Sequence, residues 1–138
     1  MIKKIDHIGI AVQSLEVAVA KYEGITGKKV AHKEVLPEQK VATAFFSVGE
    51  ARLELLKDTD SESPIAKFLE KRGEGIHHIC FEVDNLTQTK KAMQEQGLRF
   101  IKGIPERGAG GSKVAFIHPK STGGILMELV EYPNPVDG

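Results

Sequence analysis

The sequence predicts an α+β fold built from two β-α-β-β-β modules. Three observations lead to this prediction: the chain repeats itself, each copy begins with a short apolar strand, and a capped helix follows each strand. The segment from His7 to Leu15 aligns without a gap with the segment from His78 to Leu86, at an offset of 78 − 7 = 71 residues. Each half of the chain is therefore expected to have the same order of strands and helix.

The first module is predicted over residues 3–57. Its first strand ends at Ser14, whose side-chain oxygen can accept a hydrogen bond from a free backbone N–H group and so begin a helix over Leu15–Ile25. Gly27 can adopt the positive φ at which helices end. Apolar and β-branched residues then predict the remaining three strands, at 29–36, 41–48 and 52–57.

The second module is predicted over residues 76–132 from the same signals. Asn85 caps a helix over Leu86–Gln96, and strands are predicted at 99–102, 113–118 and 125–131. Between the modules, Ser63 followed by Pro64 predicts a connecting helix over about 63–73. Because no linker rich in Pro, Gly or Ser separates the modules, the sequence predicts one domain over residues 1–138.

Composition narrows the classes of function. The 138 residues include 19 basic and 19 acidic side chains, and this balance does not favour a nucleic acid or an anionic membrane as partner. The longest apolar stretches are far shorter than the roughly 20 residues that cross a bilayer. The single cysteine cannot form an internal disulfide, and the first residues do not resemble a signal peptide. We expect a small-molecule partner and a cytoplasmic protein.

Two histidines and two glutamates occupy repeat-equivalent positions. His7 aligns with His78, and Glu54 aligns with Glu128, with histidine-to-glutamate spacings of 47 and 50 residues. Strand alternation places His7 and Glu128 on faces that are otherwise apolar or small, where an ionised carboxylate needs a partner or a metal. Each residue taken singly suits a structural role. Taken jointly, the four predict a divalent metal site with positions open for substrate.

Other reactive side chains lack this paired placement. His77 alternates to the face opposite His78, and His32 and His118 have no repeat partner. Cys80 lies in the middle of a strand with no evident base beside it. All four are predicted to have structural roles.

Several segments resemble the vicinal-oxygen-chelate superfamily and, within it, the methylmalonyl-CoA epimerases. The most specific is the His-Pro-Lys stretch at 118–120, which runs into Gly-Gly-x-Leu-x-Glu-Leu at 123–129. The other matching segments lie at 6–12, 36–39, 63–69 and 75–79. The resemblance therefore covers nearly the whole chain.

The resemblance implies a cupped, mixed but mostly antiparallel sheet around a divalent metal ion, and a homodimer. The ligands it implies are His7, Glu54, His78 and Glu128, with Glu54 where many members have glutamine. Cobalt, manganese, nickel, zinc and magnesium are all candidates for the ion. The implied activity is the interconversion of the two C2 epimers of methylmalonyl-CoA, an acyl-CoA substrate. The ion would hold the substrate carboxylate and thioester carbonyl together and stabilise enolate charge.

Proton transfer at C2 is expected to involve glutamate. Glu128 is the first candidate, because a glutamate at the edge of a metal site can also act as a base. Some epimerases have a further glutamate where this chain has Thr43, and threonine is a poor base at neutral pH. Glu54 or a water molecule at the metal would then take that part, so Glu128 and Glu54 are the predicted catalytic residues.

A glycine-rich segment at 108–113 is predicted to be a substrate loop. It runs into a strand rather than a helix, so it does not fit a phosphate loop of a nucleotide-binding fold. Backbone N–H groups of such a loop can approach an anionic ligand closely. The predicted substrate-binding residues are Gly110, Gly111, Ser112 and Lys113.

Three alternatives to the epimerase interpretation remain open. Two histidines and two glutamates would also suit a glyoxalase I-like lyase or isomerase. Two histidines and one carboxylate would suit an iron dioxygenase. A metal-free protein that binds a small molecule is the third alternative, and elemental analysis after dialysis would distinguish it.

Overall fold

The computed structural model describes residues 1–104, 106–108 and 111–133. In these residues the chain forms seven strands in a mixed sheet and three α-helices, so the predicted α+β class is confirmed. In chain order the elements are β1 (Ile2–Ala11), α1 (Leu15–Thr26), β2 (His32–Leu36), β3 (Val41–Val48), β4 (Ala51–Asp58), α2 (Pro64–Arg72), β5 (Gly75–Val83), α3 (Leu86–Glu95), β6 (Lys113–Ile117) and β7 (Leu126–Glu131). A short 3-10 helix, Pro119–Ser121, precedes β7.

The chain divides into two compact units. The N-terminal unit comprises His7–His77, and the C-terminal unit comprises Met1–Asp6 together with His78–Gly138. The division falls within β1 and β5, so each unit contains part of both strands. The single domain over residues 1–138 stays a prediction.

The N-terminal unit has the strand order β2-β3-β4-β1. Strand β1 is parallel to β4, whereas the other neighbours are antiparallel. Helix α1 begins as predicted, because the Ser14 hydroxyl accepts a hydrogen bond from Val17 N–H at 3.3 Å. It ends at Gly27, which has a φ of 70°. The buried side of α1 packs on one face of β3 and β4, in a core made of Val12, Ala18, Val19, Ala44, Phe46 and Leu55.

Helix α2 covers part of the opposite face of this sheet. It begins at the predicted cap, where the Ser63 hydroxyl accepts a hydrogen bond from Ile65 N–H at 3.1 Å. Ile65 and Leu69 pack against Leu56 of β4. Because Leu56 and Glu54 are two residues apart on one strand, α2 packs against the face that carries Glu54.

The C-terminal unit has the strand order β1-β5-β7-β6. Strand β5 is parallel to β7, and β7 is antiparallel to β6. Asn85 caps α3 as predicted, with its side-chain oxygen accepting a hydrogen bond from Gln88 N–H at 2.9 Å. Cys80 is fully buried and packs with Val114 and Val130, as a small apolar side chain does.

The predicted strand at 99–102 is wrong. This segment makes only an isolated antiparallel bridge between Phe100 and Ile117. Gly103 follows with a φ of 82° and turns the chain away before a ladder can extend. The predicted first-module strand at 29–36 is also shorter in the structure, since β2 begins at residue 32.

Candidate metal centre

The N-terminal unit contains the first histidine–glutamate pair. The Nε2 atom of His7 lies 3.5 Å from Oε1 of Glu54, and the two side chains are only 12% and 11% exposed. The parallel pairing of β1 with β4 produces this approach, because the Cα partner of Glu54 is Gly9, two residues after His7 on the same face. Gly9 has no side chain, which leaves room between the two functional groups.

The C-terminal unit contains the second pair in the same register. The Nε2 atom of His78 lies 3.8 Å from Oε1 of Glu128, with the side chains 11% and 15% exposed. The Cα partner of Glu128 is Cys80, two residues after His78, just as Gly9 is two residues after His7. The sequence repeat is therefore reproduced in the strand pairing of each unit.

The chemistry of these donors fits a divalent metal ion. A separation of 3.5 Å or more is longer than a good N–H···O hydrogen bond, so imidazole nitrogen and carboxylate oxygen are close without a strong bond between them. Nearly buried carboxylates are unfavourable unless a cationic group or a metal is beside them. Within the N-terminal unit, His7 and Glu54 offer an imidazole nitrogen and a carboxylate oxygen to such an ion. Imidazole and carboxylate ligands suit zinc and the other candidate ions.

Arg52 adds a cation to the N-terminal unit that the sequence analysis did not single out. It is the Cα partner of His7, and its guanidinium carbon lies 4.8 Å from the centre of the Phe45 ring. The corresponding Cα partner of His78 is Leu126, which is apolar. Strand alternation on β4, which places residues 52 and 54 on one face, was the signal that could have identified Arg52.

Thr43 occupies a fully buried position on the same face of β3 as Phe45. Its hydroxyl donates a hydrogen bond to the backbone carbonyl of Glu34 at 3.4 Å. Thr43 is thus a buried hydrogen-bond donor, and this contact does not indicate a role as a base.

The predicted substrate-binding residues fall in different environments. Gly110 lies outside the described residues, and Gly111 is exposed with a φ of 80°. Ser112 is only 3% exposed, and its carbonyl accepts a hydrogen bond from Gly108 N–H at 2.9 Å. Lys113 is exposed, with Nζ 3.9 Å from a carboxylate oxygen of Glu131. Their contact with substrate stays a prediction.

Two further histidines, His77 and His118, make local packing and hydrogen-bond contacts. His77 packs edge-on against Phe68, with ring centres 5.1 Å apart. Burial lowers the pKa of His77 below its ordinary value, and the charge of Arg72 lowers it further. The Nδ1 atom of His118 accepts a hydrogen bond from Lys120 N–H at 3.1 Å and so caps the 3-10 helix.

Across the described residues, no helix is both long and apolar enough to cross a membrane.

The sequence of this chain is similar to those of known proteins. The profile of the Glyoxalase/Bleomycin resistance protein/Dioxygenase superfamily matches residues 6–116. An ethylmalonyl-CoA/methylmalonyl-CoA epimerase of Cereibacter sphaeroides is 40% identical over 131 residues, which cover 94% of this chain and 98% of that protein.

Solved structures agree with the sequence comparison. The crystal structure of methylmalonyl-CoA epimerase from Mycobacterium tuberculosis matches with a TM-score of 0.86 and 36% identity, covering 99% of this chain and 92% of that one. A methylmalonyl-CoA epimerase in complex with methylmalonyl-CoA and NH4+ matches with a TM-score of 0.83 and 37% identity over 96% of each chain.

Proposed function

Because this chain belongs to the methylmalonyl-CoA epimerase family of the glyoxalase/bleomycin resistance/dioxygenase superfamily, we propose that it interconverts the two C2 epimers of methylmalonyl-CoA with a divalent metal ion. The observation that carries the proposal is the repeated contact of a nearly buried histidine with a nearly buried glutamate, at 3.5 Å in one unit and 3.8 Å in the other. A family relative whose structure contains methylmalonyl-CoA supports the choice of substrate.

The proposed metal ligands are the two pairs, His7 with Glu54 and His78 with Glu128. Two imidazoles and two carboxylates are compatible with cobalt, manganese, nickel, zinc or magnesium, and the donor set does not choose among them. When bound, the ion supplies positive charge at the substrate carboxylate and thioester carbonyl, which stabilises the charge left when the C2 proton departs.

The two glutamates are the proposed proton-transfer groups. Epimerisation requires that a proton leave C2 from one face and that another be added to the opposite face. Glu128 and Glu54 are carboxylates on equivalent strands, and general bases of this kind act from within hydrogen-bond reach of the proton. The buried hydroxyl of Thr43, which donates to a carbonyl, supports assigning the second role to Glu54.

The substrate contacts, the oligomeric state and the cellular location of the enzyme are also proposals. Gly110, Gly111, Ser112 and Lys113 would contact the acyl end of the substrate, because a glycine-rich backbone lets an anion approach closely. The family resemblance supports a homodimer, and the cytoplasm stays the proposed location.

Deuterium exchange tests the proposed function directly. The metal-loaded protein is incubated with one epimer of methylmalonyl-CoA in deuterated water, and C2 exchange and inversion are followed over time. We expect both to occur, and to stop when a chelator removes the metal. If C2 exchange occurs with none of the five candidate metals, the proposed epimerase activity is rejected. Tight substrate binding without bound metal or exchange would instead indicate a metal-free binding protein.

A further inference from the structure

Arg52 is a cation on the same face of the sheet as the histidine–glutamate pair of the N-terminal unit. It lies two residues before Glu54 on β4, so the two side chains point to one face. Its Cα partner on β1 is His7. Its guanidinium carbon lies 4.8 Å from the centre of the ring of Phe45, which is the Cα partner of Glu54. The aromatic ring therefore holds the positive charge beside this pair.

Within the N-terminal unit, this face is closed at one end and open at the other. At the closed end, α2 packs on Leu56, which is 6% exposed. Thr43, the Cα partner of Leu56 on β3, is fully buried, whereas Ser47, the Cα partner of Arg52, is exposed. A ligand of this unit therefore reaches Glu54 from the end that carries Arg52.

The C-terminal unit has an apolar residue at the corresponding position. Leu126 lies two residues before Glu128, as Arg52 lies two residues before Glu54, and its Cα partner is His78. The two histidine–glutamate pairs are chemically alike, but one has a guanidinium group beside it and the other has a leucine. The internal repeat is thus broken in charge at this one position next to each pair.

This difference matters for a substrate with two unlike oxygen groups. Methylmalonyl-CoA offers a carboxylate, which is anionic, and a thioester carbonyl, which is neutral. Two equivalent pairs at one ion give no preference for either orientation of these groups. A guanidinium group on one side does, because its planar set of N–H donors matches a carboxylate.

Resting on the proposed function, we propose that Arg52 binds the free carboxylate of the substrate and so determines the orientation of the acyl group at the metal centre. Arg52 also offsets the repulsion between the substrate carboxylate and the carboxylate of Glu54. The ligand class is an acyl-CoA with a second carboxylate on the acyl group. An acyl-CoA without that carboxylate makes no use of Arg52.

Calorimetric binding of two probes to the metal-loaded protein tests this assignment. The probes are malonyl-CoA and propionyl-CoA, which share coenzyme A and differ in the free carboxylate. We expect the parent to bind malonyl-CoA more tightly. Arg52→Gln should weaken malonyl-CoA binding by about 10–100-fold, the loss of charge-assisted hydrogen bonds, and leave propionyl-CoA binding unchanged.

A second arginine in the same unit provides a matched control. Arg72, the last residue of α2, has its guanidinium carbon 5.7 Å from the centre of the Phe68 ring. Arg72→Gln removes the same charge and the same kind of ring contact, and it should leave both affinities unchanged. Arg52→Lys keeps the charge without the planar donors and should retain part of the preference for malonyl-CoA. Melting temperature and bound metal are measured for every variant.

Each outcome supports or rejects the role of Arg52. Equal weakening of both probes by Arg52→Gln rejects it, because the shared coenzyme A portion would then be the contact. Unchanged malonyl-CoA affinity also rejects it, as does a loss of malonyl-CoA affinity that is matched by a loss of bound metal.

The proposed function can fail independently of this site. A parent that binds malonyl-CoA through Arg52 but does not exchange the C2 proton of methylmalonyl-CoA would keep the carboxylate site and reject the epimerase. C2 exchange in the parent, with malonyl-CoA affinity unchanged in Arg52→Gln, would reject only the carboxylate site. In an active enzyme, Arg52→Gln should raise KM more than it lowers kcat, because the carboxylate is present in both the ground state and the transition state.

Discussion

Phe45 lies directly opposite Glu54 across β3 and β4, so an aromatic ring and a carboxylate share one face of the sheet. The C-terminal unit repeats this arrangement with Phe116 opposite Glu128. An apolar ring on one side reduces the water around each carboxylate, and the histidine lies on the other strand. This environment increases the benefit of a metal ion at the carboxylate.

Replacement of Glu128 by glutamine should separate proton transfer from metal binding. Glu128→Gln keeps the size of the side chain and one oxygen ligand but removes the basic carboxylate. We expect C2 exchange to fall by on the order of 10²–10⁴-fold, the usual contribution of a general base, while metal content falls less. Metal stoichiometry and C2 exchange are measured on the same samples. If this variant exchanges the C2 proton at the rate of the parent protein, the proton-transfer role is reassigned to Glu54.

Loss of a histidine ligand should remove metal and activity together. His7→Ala takes away an imidazole without replacing its nitrogen, and we expect metal affinity to fall by at least on the order of 100-fold, since even partners of ligands contribute 10–100-fold. Elemental analysis after dialysis measures the loss. His32→Ala is the matched control. His32 is exposed, and its Nε2 atom lies 3.7 Å from Oε2 of Glu34. Equal metal content in both variants would exclude His7 as a ligand.

We expect the titration of His77 to lower the free energy of unfolding in mild acid. Its pKa is lowered in the folded protein, so the unfolded chain binds a proton more readily as the pH falls below the ordinary value of about 6.5. Protonation then favours the unfolded state, and stability is lost on acidification. His77→Phe keeps a ring against Phe68 and removes the titration. Its melting temperature should decline less than that of the parent from about pH 7.5 to about pH 5.5; parallel declines would contradict the assignment.

Gly108 should be required for the close packing of the segment before β6. A methyl group at this position would lie 2.5 Å from Oγ of Ser112 and 3.0 Å from Cγ1 of Val114. Gly108→Ala is therefore expected to reduce the free energy of unfolding by about 1–3 kcal/mol, as overpacking does.

Gly24 is the control for Gly108. It lies in α1, and apart from its chain neighbours and the nearby backbone of its own helix no atom lies within 4 Å of the added methyl group. Gly24→Ala should therefore stabilise the protein by about 0.5–1 kcal/mol. Urea titration measures both variants. A neutral or stabilising Gly108→Ala would show that Ser112 can move aside.

Local signals made several parts of the fold predictable. The helix caps at Ser14, Ser63 and Asn85 satisfy backbone N–H groups two or three residues away, so the sequence near each cap is sufficient to place the start of a helix. The prediction at 99–102 was wrong because the length of a strand depends on a partner. Only Phe100 finds a bridge there, and Gly103 then turns the chain.

The sequence by itself determined which residues are the candidates at the metal centre. The internal repeat identifies His7, Glu54, His78 and Glu128 as two equivalent pairs, and strand alternation places them on apolar faces. The tertiary structure decided how close each histidine comes to its glutamate. That distance depends on the register of two parallel strands that are more than 40 residues apart in the chain, and no local pattern specifies such a register. The approach of Arg52 to the Phe45 ring depends in the same way on the pairing of β4 with β3.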